Sequence, residues 1–187
     1  MTIDNDVIIV TGASSGIGLA TARHLAGLGA RLVLAARNAD ALRELAAELP
    51  GAIAIPTDVT DLDEATRLVE QTIARFGRVD VLVNNAGRAM AKPVEHIDLG
   101  EYTDLLELNV VAPLRLMQLV IPHLRAQGGG QIVNISSQAS TAYIPYIAGY
   151  ASTKFALNNL SLTAREELAK DDIVVSIVKP GIVDSDF

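Results

Sequence analysis

Thr11-Gly12-Ala13-Ser14-Ser15-Gly16-Ile17-Gly18 is the stretch that decides how this chain is read. A β-branched run at 7–10 enters it, and a segment with helical spacing at 17–28 leaves it. Strand, glycine turn and helix in that order form a grip for phosphate. Gly12 permits the tight turn. Gly16 lets backbone approach a pyrophosphate with no Cβ in the way, and Gly18 lets the helix pack closely on the sheet. The helix N-terminus offers unpaired N–H groups and the positive end of its dipole. Ser14 and Ser15 add hydroxyl donors. Read alone, the pattern also fits an ordinary glycine-rich turn. No Gly-Lys-Ser/Thr follows, so it is not the phosphate loop of a mononucleotide hydrolase.

Outward from this turn, two patterns alternate. Short apolar runs recur at 7–10, 32–34, 53–55, 79–83, 132–135 and 173–178. Most are continuous rather than alternating, as strands buried on both faces require. Between them lie Ala/Leu/Glu/Arg segments with helical spacing at 17–28, 40–49, 62–76, 102–127 and 150–170. Gly29-Ala30, Pro50-Gly51 and Gly77 stop the first three helices. Strands alternating with helices form βαβ units, hence a parallel sheet covered on both faces. The right-handed crossover rule then favours a doubly wound Rossmann fold with strand order 3-2-1-4-5-6.

The whole chain fits one domain, 1–187, and half of its residues are hydrophobic, enough for a sizeable core. Its formal charge of −7 makes it a poor general partner for nucleic acid or anionic membrane. The absence of cysteine excludes disulfides, thiolate metal sites and cysteine nucleophiles, and is compatible with a cytoplasmic setting. Met1 to Asp6 is polar and acidic, unlike a signal peptide. No stretch approaches the ~18 unbroken apolar residues of a membrane span. His24, His96 and His123 are scattered singles, so no metal site is expected.

Two further motifs follow. Asn84-Asn85-Ala86-Gly87 ends the fourth strand, and Ser137 precedes Tyr150-Ala151-Ser152-Thr153-Lys154 by thirteen residues. With the full TGxxxGIG pattern they stand in the order and at the spacing of the short-chain dehydrogenase/reductase family, which this sequence resembles in its compact, non-extended branch. The likeness covers nearly the whole chain.

Tyr150 and Lys154 stand four apart on one helix and share a face. A phenol has an ordinary pKa near ~10, and an adjacent ammonium favours its ionised form, so the pair reads as a tuned acid/base or, on spacing alone, as two surface residues of an amphipathic helix. Ser137, just past the fifth strand, lies where parallel sheets bind ligands and has a hydroxyl to stabilise developing charge. Ser136 is the neighbouring candidate for that role. The resemblance implies Tyr150 as acid/base, Ser137 as orienter of the substrate oxygen, and Lys154 as ribose ligand and tuner of Tyr150. It implies Asn109 as a fourth catalytic residue. Pro113 cannot donate to the Asn109 carbonyl, which is then expected to hold a water linking Lys154 to solvent. The resemblance further assigns Gly12, Ser14, Ser15, Gly16, Ile17, Gly18, Asp58, Val59, Asn85, Ala86, Gly87, Pro180, Gly181 and Val183 to the cofactor. Asn84 is expected to tie strands together, and Tyr143 and Tyr146 to serve a substrate loop or packing.

The second strand ends at Ala35-Ala36-Arg37. NAD-preferring folds place a carboxylate here for the ribose 2′-OH. Ala36 has none, while the Arg37 guanidinium suits a 2′-phosphate. NADP(H) is therefore expected over NAD(H). The leading expectation is an NADPH-dependent oxidoreductase acting on a small-molecule carbonyl or secondary alcohol. The alternative is a non-catalytic dinucleotide-binding module, such as a sensor or interaction subunit. The long helices after Gly100 and from Tyr150 resemble the family's dimer-forming pair, which implies a homo-oligomer. The family's C-terminal substrate loop and last strand are absent after Asp184-Ser185-Asp186-Phe187, so the chain is expected to be cut short, and Ser185 stands where the family often has threonine.

Overall fold

The computed structural model describes residues 3–181. Its six-stranded parallel sheet has the order β3-β2-β1-β4-β5-β6, so the expected doubly wound architecture is the observed one. The strands are β1 (Val7–Thr11), β2 (Arg31–Ala36), β3 (Ile53–Pro56), β4 (Val81–Asn84), β5 (Gly130–Ile135) and β6 (Ile173–Val178). The helices are α1 (Gly16–Gly27), α2 (Ala39–Glu48), α3 (Leu62–Phe76), α4 (Leu99–Leu106), α5 (Ala112–Ala126) and α6 (Ala148–Leu168).

The continuous apolar runs are explained by two cores on opposite faces of the sheet. Val7 and Ile9 of β1 join Leu68 of α3 and Leu116 and Val120 of α5. Ile8 and Val10 join Ala22 of α1 and Leu42 and Leu45 of α2. Alternate residues of one strand thus feed both layers, and all four are at most 1% exposed. The outer strand β6 is different: Ile173 and Val175 are buried, while Val174 and Val178 on the other face are about half exposed.

Element ends differ from the sequence reading by a few residues, and two of these differences have a physical cause in the structure. The ladder of β4 begins at Val81, not at 79, because Asp80 turns its carboxylate onto the Val7 N–H (2.8 Å) and pairs with Arg78. The expected helix at 102–127 begins at Leu99, where Asp98 caps α4 by accepting from the Glu101 N–H (2.9 Å). It then passes through a π turn, Glu107–Val111, into α5. There the Ala112 N–H donates to the Glu107 carbonyl, and Pro113 follows where the ordinary ladder is already interrupted. The helical body Leu99–Ala126 is long and apolar enough to cross a membrane. Here its apolar side, Leu105, Ala112, Leu116, Val120 and Leu124, is buried against the protein.

Candidate active site

A cleft of about 850 Å³ opens at the carboxyl ends of the strands. Its rim runs from Ala36 and Arg37, across the glycine turn, to Ser137, Tyr150 and Lys154. This is the crevice at which such sheets take ligands.

The glycine turn is built by close approach. Gly12 sits at φ +64°, and a Cβ there would lie 2.8 Å from Asn85 Nδ2. A Cβ on Gly18 would lie 2.2 Å from the Gly12 carbonyl oxygen, so only glycine lets α1 pass under the turn. Gly18 is buried beneath the turn and does not line the cleft, whereas Gly12, Ser14, Ser15, Gly16 and Ile17 do. Thr11 locks the arrangement to β4: its hydroxyl donates to the Val83 carbonyl (3.2 Å) and accepts from the Asn85 and Ala86 N–H groups (2.9 and 3.0 Å). Asn85 Nδ2 returns two bonds to the Thr11 and Gly12 carbonyls.

The N-terminus of α1 is left open. Asn38, Asp61 and Asp98 cap α2, α3 and α4 with their side chains, and each of those helices carries an acidic residue in its first turn. At α1, Ser15 makes no side-chain cap and the first turn holds no acid. Its positive end and free N–H groups face the cleft, as an anionic ligand requires. The residues therefore fit a dinucleotide pyrophosphate.

At one end of the cleft, Arg37 is exposed and Asp58 accepts from the Thr60 hydroxyl and N–H (2.7 and 3.0 Å). The Thr60 hydroxyl chiefly holds the Asp58 carboxyl below its ordinary range, and Arg37 adds to this. Val59 lines the cleft with its side chain buried in the core. Asn85, Ala86 and Gly87 line the cleft, as do Pro180 and Gly181, where the Gln138 N–H donates to the Pro180 carbonyl (3.0 Å). Val183 lies outside the described residues. Asn84 faces away: its Nδ2 donates to Asn134 Oδ1 (2.8 Å) and ties β4 to β5.

At the other end, Lys154 is 5% exposed and its Nζ donates to the Ile135 carbonyl (2.9 Å). The same Nζ lies 5.8 Å from the centroid of the Tyr150 ring. Burial pushes the Lys154 amine down to about 8. Ser137 is half-buried on the cleft wall, and among the described residues its Oγ accepts from the Ala139 N–H (3.1 Å) and donates to no other group. Ser136 also touches the cleft, but its buried hydroxyl turns to Ser140 Oγ (3.4 Å) and the Lys154 carbonyl (3.5 Å). The geometry thus favours Ser137 over Ser136 as the hydroxyl presented to a ligand.

Asn109 sits in the π turn, fully buried beneath the cleft. Its Oδ1 accepts from the Arg88 N–H (3.1 Å), and its Nδ2 donates to the Arg88 carbonyl (3.0 Å) and Thr153 Oγ1 (3.1 Å). A Cβ on Gly87 would meet both Asn109 Oδ1 and Lys154 Nζ, at 3.0 and 3.6 Å, so the three groups converge. Tyr143 is 98% exposed and stacks on Phe155 (6.4 Å between centroids), and neither Tyr143 nor Tyr146 lines the cleft.

Several supporting residues were not singled out in the sequence. Ser140 Oγ donates to the Ser137 carbonyl (2.5 Å) and accepts from Asn158 Nδ2 (2.8 Å), fixing the turn that carries Ser137. Asn158 falls one helical turn beyond Lys154, a spacing that could have suggested it. Ser140 had no comparable signal. Among the described residues no group of three His, Cys, Asp or Glu is placed to hold a metal.

A family model for short chain dehydrogenases matches residues 6–187. An uncharacterized oxidoreductase from Staphylococcus epidermidis is 32% identical over 184 residues, covering 98% of this chain and 80% of the relative. One from Listeria monocytogenes is 39% identical over 175 residues, covering 91% of this chain and 71% of the relative. A short-chain dehydrogenase structure from Streptomyces avermitilis superposes with a TM-score of 0.94 at 40% identity, covering 98% of this chain and 68% of that one. A 7α-hydroxysteroid dehydrogenase complexed with NADH and 7-oxo glycochenodeoxycholic acid gives 0.95 at 34%, covering 98% and 73%. The chain belongs to the short-chain dehydrogenase/reductase family and is an NAD(P)-dependent oxidoreductase.

Proposed function

We propose that this protein is an NADPH-dependent reductase of a small carbonyl compound, or the corresponding secondary-alcohol dehydrogenase in reverse. The observation that carries this is one cleft with an open helix N-terminus at its centre and Ser137, Tyr150 and Lys154 together at one end. When bound, the dinucleotide supplies or accepts the hydride at the carbinol carbon. Gly12, Ser14, Ser15, Gly16 and Ile17 hold its phosphates; Asp58 and Val59 face its adenine, and Asn85, Ala86 and Gly87 its ribose. Pro180 and Gly181 flank the nicotinamide. Ser137 donates to the substrate oxygen and orients it. Tyr150 gives that oxygen its proton, with the Lys154 Nζ 5.8 Å from its ring centroid. Lys154 also binds ribose hydroxyls. Asn109 holds the Arg88 backbone and the Thr153 hydroxyl beside Lys154, and its carbonyl, opposite Pro113, takes a water that returns the proton.

Arg37 supports the choice of NADP(H). It is exposed on the cleft rim, directly after Ala36, which has no carboxylate to receive a 2′-OH. Exposed Val111, Phe155 and Leu162 on the α5 and α6 side support a homo-oligomer. We place the protein in the cytoplasm on its acidic, cysteine-free composition.

Oxidation of NADPH against a panel of ketones tests the reading, with Tyr150→Phe as control. Turnover that Tyr150→Phe abolishes supports the enzyme. Dinucleotide binding with no turnover on any ketone supports a non-catalytic binding module instead. Arg37→Asp shifts preference from NADPH toward NADH; unchanged selectivity removes Arg37 from the account.

A further inference from the structure

The turn that carries Asp58 and Val59 leaves the sheet after β3 and is not part of any ladder, yet it forms one wall of the cleft. Side chains hold it from both sides. Glu64 Oε2 accepts from the Asp58 N–H (2.7 Å). Arg115 of α5 also reaches it: Nη1 donates to the Val59 carbonyl (3.3 Å) and the Thr60 carbonyl (3.0 Å). Arg115 Nη2 donates to Glu107 Oε1 (2.9 Å), at the first residue of the π turn that bears Asn109. One guanidinium therefore links the adenine-side wall, the π turn and α5. Its side chain is only 20% exposed. A planar fork satisfies two carbonyls and a carboxylate together, which a lysine ammonium does not.

We propose that Arg115 is a positioning residue for the adenine end of the bound dinucleotide, holding the Asp58–Val59 wall at the spacing the base requires. Glu107 aligns the guanidinium and balances its charge. The inference rests on the dinucleotide reading above. Arg115 does not line the cleft beside Ser137, Tyr150 and Lys154, so its loss weakens ligands that carry adenine more than those that do not.

The test is binding to folded full-length protein of three ligands: NADPH, adenosine 2′,5′-bisphosphate and reduced nicotinamide mononucleotide. Arg115→Met weakens NADPH and the adenosine bisphosphate about tenfold, as expected for losing hydrogen bonds from a charged donor. Binding of the mononucleotide stays within about twofold, because it makes no contact with that wall. Arg115→Lys keeps the charge without the fork and gives the same pattern with a smaller loss, which reads the proposal even if Arg115→Met does not fold. Adenine ligands that bind both variants as tightly as wild type overturn the inference alone. So does an equal loss for the mononucleotide, which marks a general structural role. Wild-type protein that binds no dinucleotide overturns the underlying reading as well.

Discussion

The turns after β1 and β5 stand near each other in the sheet, and both face the cleft, but they are made by different means. The first is built from backbone. Gly12 and Gly18 remove side chains, and the N–H groups of α1 are left without a cap. The second is built from side chains: Ser136, Ser140 and Asn158 fix the segment that presents Ser137, and Lys154 is pinned to Ile135. A pyrophosphate needs only donors and a dipole, which any close backbone supplies. Proton transfer needs one hydroxyl and one phenol at set positions, which only packed, hydrogen-bonded side chains supply. The comparison predicts that the two ends can be damaged separately.

Ser137→Ala strikes the side-chain end hardest. It lowers kcat by about 10²–10³-fold, the usual cost of a lost oxyanion donor, while dinucleotide affinity stays within a few-fold in a fluorescence titration. Gly18→Ala strikes the backbone end. Its Cβ cannot clear the Gly12 carbonyl, so denaturant unfolding should show a loss of about 1–3 kcal/mol, with weakened dinucleotide binding. Ser140→Ala is milder: losing the bond to the Ser137 carbonyl lowers kcat by about fivefold with unchanged affinity.

A separate effect is read by pH. Burial lowers the Lys154 amine from its ordinary 10.5 to about 8, so between those values the unfolded chain holds the extra proton. Stability therefore rises with pH across that window. Lys154→Met removes this contribution, so the wild-type stability curve, measured by urea unfolding from pH 7 to 10.5, rises relative to the variant's. Parallel curves would contradict a buried amine.

Much of this was legible in the sequence because backbone requirements leave a mark. Gly12, Gly16 and Gly18 announce the first turn, and continuous apolar runs announce strands covered on both faces. Tyr150 and Lys154 stand out through the family resemblance, because helical spacing alone also fits two residues on a helix surface. The supporting bonds were not, because they join residues far apart in the chain: Ser140 with Asn158, Asn109 with Arg88, Arg115 with Val59 and Thr60. Serine, asparagine and arginine at those positions fit an ordinary surface equally well. The π turn was hidden too, since Glu107–Val111 carries good helical spacing and only Pro113 hinted at an interruption.

Separability of the two ends is tested most directly by titrating NADPH into the Ser137→Ala, Tyr150→Phe double variant while following turnover on a ketone that wild type reduces. The account predicts binding within about threefold of wild type, with turnover gone. Loss of binding together with turnover, or turnover that persists, would contradict it.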